Sequence, residues 1–413
     1  MVCPLRRRTP IGARTQLLTT RHAPALAPGL GDAGATRGGV AVGTCTLGGV
    51  FRFDPFDAYA EGLVTNPNVL VAGQIGRGKS ALVKCLLSRA VVAGRRCVVV
   101  DPKGEYAAFA AALGAEPVAL EPNGRVRLNP LAGDRDDPAR AVLLAALLAT
   151  SLERRLASAE RAALDVALRS ADDDPGQATL RGVLDHLLSP SPSSAALLGT
   201  TVAELAAEGR TAALELRRLV GGELRGMFDG PASPGADLSG DVVVLDVSGA
   251  LRAGALPVVL CCAAAALEAT RRAPRTARTI LVLDEAWSLL ADEGAARWLQ
   301  AGFKLARARG IAHVLVLHRL SDLAAAGSDG SVTAAIAAGL LRDVETSVLF
   351  GQPPAEAAAL EELLGLSGPE RDVVARLPRG AALWRVGAAR SVVRHAVAPA
   401  ESAFIDTDAA MRG

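Results

Sequence analysis

The sequence predicts an α/β fold with a mainly parallel sheet and an inserted all-helical subdomain. Seven short apolar runs rich in β-branched residues recur along the chain, and helical patterns separate most of them. Their hydrophobicity is continuous rather than alternating, which is typical of strands buried on both faces. Such strands alternating with helices indicate parallel pairing with right-handed crossovers. The runs are Val69–Ala72, Cys97–Asp101, Val242–Val247, Ile280–Asp284, His313–Leu317, Ser347–Phe350 and Ala382–Val386.

The alternation stops in a long central segment, where the pattern is helical and no convincing strand is evident. Helices are predicted over 138–170, 178–188 and 201–219, with Asp-, Pro- and Ser-rich stretches between them. We interpret this segment as a subdomain inserted between two strands of the sheet. The predicted organisation is a flexible basic amino-terminal arm (1–50), an α/β domain in two parts (51–132 and 241–400), the helical insertion (133–240) and a carboxyl-terminal tail (401–413).

Composition excludes several classes of protein. The chain has 413 residues, of which 50% are hydrophobic, 21% charged and 3% aromatic, unlike disordered, collagenous or disulfide-stapled chains. The longest apolar run, 253–267, contains Pro257 and is shorter than the roughly 20 residues of a membrane span. No apolar stretch typical of a signal peptide follows the first arginines. These features predict a cytoplasmic protein.

A glycine-rich loop at residues 73–80 is the most specific motif of the chain. Its sequence, Gly-Gln-Ile-Gly-Arg-Gly-Lys-Ser, has the Walker A spacing and stands between a predicted strand and a helical pattern. This context favours a phosphate loop over a surface turn, because glycines and a helix amino terminus let backbone N–H groups converge on phosphate oxygens. Lys79 is expected to reach the β- and γ-phosphates of ATP, and Ser80 to ligate Mg²⁺. The predicted nucleotide contacts in this loop are Gly73, Gln74, Ile75, Gly76, Arg77, Gly78, Lys79, Ser80 and Ala81.

An acidic pair ends one of the predicted strands. Residues 280–285 read Ile-Leu-Val-Leu-Asp-Glu, the form of a Walker B element. Asp284 is expected to orient Mg²⁺ through its water shell, and Glu285 to act as general base toward the attacking water. An isolated pair of this kind is equally typical of a solvated loop start, but together with the glycine-rich loop it indicates hydrolysis of the bound nucleotide.

A compact charged turn follows a second strand, which ends at Asp101. Ligands of open α/β sheets lie beyond the carboxyl ends of the strands. We therefore assign Asp101 to the nucleotide site and expect Lys103 and Glu105 near the γ-phosphate or at a subunit boundary. An ion-paired surface turn is the alternative.

Further polar candidates lie near two later strands. His318 follows the run 313–317, where a side chain either senses the γ-phosphate or caps the strand. Arg307 and Arg309 precede that strand, and Arg379 precedes the run that begins at residue 382. Each is a candidate for the arginine that stabilises charge on a neighbouring subunit's nucleotide.

Five motifs occur in a characteristic order along the chain: Asn66-Pro-Asn68, Asp101-Pro-Lys-Gly-Glu-Tyr106, Asn129-Pro-Leu131, Asp284-Glu-Ala-Trp287 and Lys304-Leu-Ala-Arg307. This order resembles the cytoplasmic ATPases of conjugation and type IV secretion (TraC/TraG-like), in the HerA/FtsK branch of P-loop motors. The resemblance spans residues 51–400 and implies a RecA-like P-loop NTPase fold, with ATP and Mg²⁺ at the interfaces of a homo-hexamer. By this resemblance, Lys79, Ser80, Asp284 and Glu285 match the family directly, and Arg307 stands at the family's arginine position.

Two departures from the family pattern bear on function. Leu317 and His318 stand where the family usually has Thr-Gln, so that phosphate sensing is expected to depend on pH near neutrality. The chain is also expected to lack the amino-terminal docking domain of many relatives. The chain is therefore expected to be essentially a motor, tethered by its basic arm, by its insertion or by another polypeptide.

The leading hypothesis is a motor that energises assembly of, or transport through, a DNA-transfer apparatus, with channel components as partners and possible peripheral association with the membrane. A translocase of duplex DNA is the close alternative, and a non-hydrolysing assembly scaffold the more distant one. A P-loop small-molecule kinase fits the chain length and the Asp284-Glu285 pair poorly. The net charge slightly favours the first hypothesis over a DNA pump, because residues 1–50 contribute +5 and the rest of the chain 2 − 5 = −3.

Overall fold

One large twisted sheet organises the molecule. The computed structural model describes residues 36–46, 48–222, 224–233, 238–249, 256–269, 278–317 and 332–405. Within these residues, eleven strands form a single sheet in the order β2-β1-β11-β10-β9-β3-β8-β7-β4-β6-β5. The strands are β1 (Val40–Cys45), β2 (Val50–Phe53), β3 (Val69–Ala72), β4 (Arg96–Asp101), β5 (Val118–Ala119), β6 (Val242–Asp246), β7 (Thr279–Leu283), β8 (Ile311–Leu317), β9 (Thr346–Phe350), β10 (Ala381–Val386) and β11 (Ala389–His395).

The sheet has a parallel part and an antiparallel part. Strands from β9 through β3, β8, β7, β4 and β6 to β5 pair in parallel. Strands β2, β1, β11 and β10 pair antiparallel and join the parallel part at β9. The fold class predicted from the sequence is therefore confirmed, and every one of the seven predicted strands is present. Strands β1, β2, β5 and β11 were not among these seven.

Helices cover both faces of the sheet. On β4, Cys97 and Val99 point into one hydrophobic cluster and Val98 and Val100 into the other, as the twofold period of a strand requires. The helices are α1 (Pro55–Ala60), α2 (Lys79–Val92), α3 (Ala107–Ala112), α4 (Ala139–Ser151), α5 (Ser158–Asp173), α6 (Leu180–Leu188), α7 (Pro192–Leu197), α8 (Val202–Gly221), α9 (Leu256–Ala269), α10 (Trp287–Leu290), α11 (Glu293–Arg309), α12 (Val332–Asp343), α13 (Pro354–Leu364), α14 (Gly368–Val374) and α15 (Ser402–Ile405), with a short 3₁₀ turn at Pro399–Glu401.

The two faces carry different helices. Helices α1, α2 and α3 bury their apolar side chains in the cluster that contains Val99. Helices α4 to α9 lie on the opposite side, and their leucines and alanines form one continuous cluster with Val98 and Val100 of the sheet. The helical segment between β5 and β6 is therefore anchored to the sheet by shared core rather than by its connections alone. None of the described helices is long and apolar enough to cross a membrane.

Both ends of the described chain pack more closely than the sequence predicted. Strand β1 lies inside the range 1–50 that we expected to be a flexible arm, because its register with β2 and β11 buries Val42 and Cys45. Part of the predicted tail, 401–413, is also packed. Glu401 accepts hydrogen bonds from the Arg89 guanidinium of α2 at 2.5 and 2.7 Å, so this segment braces the helix that follows the glycine-rich loop.

The start of α8 provides a test of local stability. Thr201 caps this helix by accepting a hydrogen bond from the Glu204 N–H at 3.2 Å, and the Glu204 carboxylate accepts one from the Thr201 N–H at 3.0 Å. We expect Thr201→Ala to lower the free energy of unfolding by about 1 kcal/mol, because the cap of a helix is lost. Urea unfolding measures this change. Thr211→Ala, at an exposed position within the same helix, is expected to be neutral or slightly stabilising, and equal losses in both variants would contradict the capping role.

Candidate functional site

The predicted motifs meet at one edge of the sheet. The glycine-rich loop follows β3, the acidic pair follows β7 and the charged turn follows β4. These strands are parallel and only β8 lies between β3 and β7, so the two motifs start about 10 Å apart. Their carboxyl ends form a crevice of the kind in which open α/β sheets bind ligands.

Close packing shapes the loop at residues 73–80. Gly73 has no room for a side chain, since a Cβ atom there would lie 2.5 Å from the Cβ of Phe350. Gly78 has φ +107°, a left-handed conformation that glycine adopts readily, and it directly precedes the first turn of α2. The N–H groups of that turn, at Lys79, Ser80 and Ala81, have no partner within the helix and point toward the crevice end of α2. The loop thus presents backbone donors where an anion can bind.

Lys79 is buried at the floor of the loop. Its side chain is 3% exposed, and its Nζ donates to the carbonyl oxygens of Gly73 at 2.5 Å and Gln74 at 3.1 Å. Burial lowers the pKa of Lys79 to about 8, although the nearby carboxylates of Asp284 and Glu285 act in the opposite direction. Both carboxylates therefore lie close enough to the Lys79 ammonium to act on it electrostatically, so the two predicted motifs form one site.

The acidic pair owes its geometry to an unusual backbone conformation. Asp284 and Glu285 are 2% and 7% exposed, and Glu285 has φ +54°, which non-glycine residues rarely adopt. Such a conformation costs of order 1–3 kcal/mol and is concentrated at functional sites. The chain is held there because the Glu285 N–H donates to Asp284 Oδ1 at 2.9 Å and the Ala286 N–H to Val316 O at 3.2 Å. This turn brings both carboxylates to the crevice.

Two donors hold the Glu285 carboxylate. Lys103 forms an ion pair with Oε1, and the indole Nε1 of Trp287 donates to Oε2. Burial lowers the pKa of Lys103, but the hydrogen bond and charge of Glu285 outweigh it and raise the pKa above its ordinary value. Lys103 was predicted near the γ-phosphate or at a subunit boundary, with an ion-paired surface turn as the alternative, and the structure pairs it with the predicted general base. Trp287 was not predicted as a functional residue; its position two residues after the glutamate was the available signal.

Asp101 organises the charged turn from within. It is 1% exposed, and its two oxygens accept three backbone N–H donors, from Lys103 at 3.1 Å, Gly104 at 2.9 Å and Tyr106 at 2.8 Å. Burial raises its pKa, while these hydrogen bonds oppose the rise. Asp101 therefore shapes the turn that carries Lys103. Its assignment to the nucleotide site stays a prediction.

A buried lysine, Lys84, links the charged turn after β4 to α2, the helix that follows the glycine-rich loop. Lys84 of α2 donates from Nζ to the carbonyl oxygen of Glu105 at 2.8 Å and lies 5.0 Å from the centre of the Tyr106 ring. Burial lowers the pKa of Lys84. Because α2 begins in the glycine-rich loop, Lys84 makes the position of the charged turn depend on the position of that loop.

The donor set at the crevice suits a magnesium ion bound partly by substrate. Within the described residues, no three His, Cys, Asp or Glu side chains form a cluster able to hold a metal. The predicted ligands Ser80 and Asp284 would supply one hydroxyl and one carboxylate oxygen, both hard donors. Mg²⁺ ordinarily keeps several waters and binds through one or two carboxylates plus phosphates. The residues present therefore fit Mg²⁺ that arrives with a nucleotide.

The candidate arginines occupy three different environments. Arg307 is exposed in the last turn of α11, near the amino-terminal ends of β7 and β8, about 20 Å along β8 from the crevice. Arg309 is paired with Asp137 at 2.7 Å. Arg379 is exposed beside the loop of its own chain, since the next residue, Gly380, donates its N–H to Arg77 O at 3.0 Å. His318 lies outside the described residues.

Comparisons with known proteins agree with this arrangement. The sequence model of the AAA-like domain family matches residues 59–181, and no curated protein matches the sequence. The structure of VirB4 of Thermoanaerobacter pseudethanolicus matches with a TM-score of 0.67 and 25% identity, over 91% of this chain and 100% of that one. The plasmid coupling protein TrwB with the ATP analogue ADPNP matches with a TM-score of 0.58 and 20% identity, over 88% and 91% of the chains.

A second TrwB structure, in complex with ADP and Mg²⁺, matches with a TM-score of 0.58 and 19% identity, over 84% of this chain and 87% of TrwB. At this identity the TrwB matches establish the fold alone. The predicted resemblance is therefore confirmed: the chain has the fold of VirB4 over 91% of its length and that of the bacterial conjugative coupling protein TrwB over 80%.

Proposed function

We propose that this protein is an ATP-hydrolysing motor of the conjugation and type IV secretion type. The observation that carries the proposal is the convergence of Lys79, Asp284 and Glu285 on one crevice, where the charges of both carboxylates act on the buried ammonium. TrwB, which shares the fold, was solved with an ATP analogue and with ADP and Mg²⁺. The proposed working form is a homo-hexamer that acts with channel components at the inner face of the membrane.

Each residue of the crevice has a distinct part in the proposed reaction. The backbone N–H groups of the loop and Lys79 hold the β- and γ-phosphates, and Glu285 orients the attacking water and accepts its proton. Ser80 and Asp284 would hold Mg²⁺, which neutralises charge on the phosphates when bound. The hydrogen bond from Trp287 fixes the direction of the Glu285 carboxylate.

Arg307 supplies the argument for a ring. An exposed arginine at the opposite edge of the sheet is far from the crevice of its own chain, so that it can contribute to catalysis only in a neighbouring subunit. We therefore propose that Arg307 completes the site of the next protomer, where an arginine supplied in trans stabilises transition-state charge.

Assembly should consequently control turnover. We expect the ATPase rate per subunit to rise with protein concentration in step with the assembly seen by sizing, because the site is complete only between subunits. A rate per subunit that stays constant while the protein remains monomeric would contradict interface catalysis. The same rate measured with added duplex DNA shows whether DNA is the cargo. A DNA pump should hydrolyse ATP faster with duplex DNA, and this stimulation should weaken steeply as the salt concentration rises.

A mixing experiment tests the role of Arg307 directly. Arg307→Ala and Glu285→Gln should each be inactive alone, whereas mixed rings should regain activity at interfaces that join an intact crevice to an intact arginine. Arg181→Ala removes an exposed arginine from α6 and should retain full activity. Failure of the mixture to regain activity, with mixed assemblies detected, would reject Arg307 as the trans residue.

A further inference from the structure

Lys103 is the more exposed partner of its ion pair with Glu285, and its charge acts on the ammonium of Lys79. Its side chain is 34% exposed, whereas that of its partner Glu285 is 9% exposed. Lys103, Asp284, Glu285 and Glu105 all act electrostatically on the Lys79 ammonium. Two lysines from separate elements, the glycine-rich loop and the charged turn, therefore converge on one anion-binding crevice.

The two lysines differ in how their charge is balanced. Lys79 donates to the neutral carbonyl oxygens of Gly73 and Gln74, but Lys103 has a carboxylate as its partner. A terminal phosphoryl group offers three acceptor oxygens and more negative charge than one carboxylate. Because a lysine side chain is flexible and its ammonium acts as a point charge, Lys103 can exchange the carboxylate for such a phosphoryl group without movement of the backbone.

The carboxylate keeps its orientation after such an exchange. Oε2 of Glu285 accepts the indole N–H of Trp287, which lies two residues away on the same turn, while Lys103 holds Oε1. The turn that carries Lys103 is itself fixed by the hydrogen bonds to Asp101 and by Lys84. Only the exposed lysine side chain needs to move.

From this geometry we infer that Lys103 is a further phosphate-binding residue, which recognises the terminal phosphoryl group of a nucleoside triphosphate and thereby releases Oε1 of Glu285. The inference rests on the proposed function. In the step that follows, the water oxygen bonds to the γ-phosphorus while the bond to the β,γ-bridging oxygen breaks. The electron pair of that bond goes to ADP, and one water proton passes to Oε1. A nucleoside diphosphate has no γ-phosphoryl group, so Lys103 stays on Glu285.

Nucleotide affinity tests the assignment without relying on turnover. For Lys103→Gln we expect the affinity for a non-hydrolysable ATP analogue to fall about 10-fold or more, because a charge-assisted hydrogen bond is lost. The affinity for ADP should change by less than about 2-fold, since ADP does not engage Lys103. Lys103→Arg should recover most of the preference for the analogue, and Arg181→Gln, which removes an exposed cation from α6, should match the wild type. Calorimetry with each nucleotide gives these values.

Three outcomes would overturn the inference. The first is that Lys103→Gln and Lys103→Met keep the wild-type preference for the analogue over ADP. The second is that both variants lose affinity for the two nucleotides equally. The third is that they hydrolyse ATP faster than the wild type, which would mean that Lys103 only keeps the Glu285 carboxylate from acting as general base. If the wild type itself binds no nucleotide in a Lys79-dependent manner, the proposed function fails as well. If the wild type binds and hydrolyses ATP, only the role assigned to Lys103 is wrong.

Discussion

Replacing Glu285 with glutamine is expected to lower ATP turnover by about 10²- to 10⁴-fold, because the group that accepts the proton of water is lost. Nucleotide binding should persist, since Lys79 and the backbone donors of the loop are unchanged. Glutamine retains the length of the side chain and an oxygen for the Trp287 indole. Phosphate release under saturating ATP, together with titration of a non-hydrolysable analogue, separates the two effects.

Glu362→Gln is the matched control for this substitution. Glu362 is exposed on α13, at a distance in sequence from every motif of the crevice, and its replacement should leave turnover unchanged. A Glu285→Gln protein with undiminished phosphate release would favour the scaffold hypothesis, in which the bound nucleotide is not hydrolysed to any useful extent and the carboxylate has no chemical role.

Most of the parallel part of the sheet was predictable because its strands, β5 excepted, are buried on both faces. β7, β8 and β9 are buried along their entire lengths, which produces the continuous apolar runs that a single sequence reveals. β11 was missed for the opposite reason. It includes Arg390 and Arg394, is only partly buried, and its apolar stretch is too short to distinguish a strand from a loop without its partners β10 and β1.

The chemistry of the crevice was more predictable than its internal contacts. Walker A and Walker B residues are recognisable from type and spacing, because phosphate binding requires glycines and a lysine, while magnesium binding and hydrolysis require carboxylates at the end of a strand. The contact between Lys103 and Glu285 depends on the adjacency of β4 and β7 in the sheet, which no local pattern specifies. The same is true of Asp101, whose inward orientation follows from the conformation of the turn after β4.

Site geometry also explains why function and stability need not change together. Burial of the Lys79 ammonium lowers its pKa from 10.5 in the unfolded chain to about 8 in the folded protein, so the charged form destabilises the fold. Between these two pH values the unfolded chain binds more protons than the folded protein. Stability is therefore expected to rise with pH across that window, whereas binding of a polyanion at the same residue should weaken as Lys79 loses its proton above about pH 8. The proposed nucleotide site thus binds its ligand at some cost to the stability of the ligand-free fold.

Lys79→Met separates these two contributions. We expect the variant to lose nucleotide binding, because the only described cation at the floor of the glycine-rich loop is removed. The melting temperature of the nucleotide-free protein should be no lower than that of the wild type, since a buried charge is replaced by an apolar side chain of similar length. A non-hydrolysable ATP analogue at 100 times its Kd should stabilise the wild type by about 2.7 kcal/mol and the variant not at all.

The control and the pH series decide whether this residue acts as a cation. Lys304→Met changes an exposed lysine of α11 and should retain the full stabilisation by nucleotide. In the wild type, affinity for the analogue should decrease as the pH rises through about 8, the pKa of Lys79 in the empty site; in Lys79→Met, any residual affinity should lack that decrease. Equal stabilisation of Lys79→Met and wild type would exclude the crevice between the glycine-rich loop and the acidic strand end as the nucleotide site, because no phosphate could bind there without responding to the loss of this ammonium.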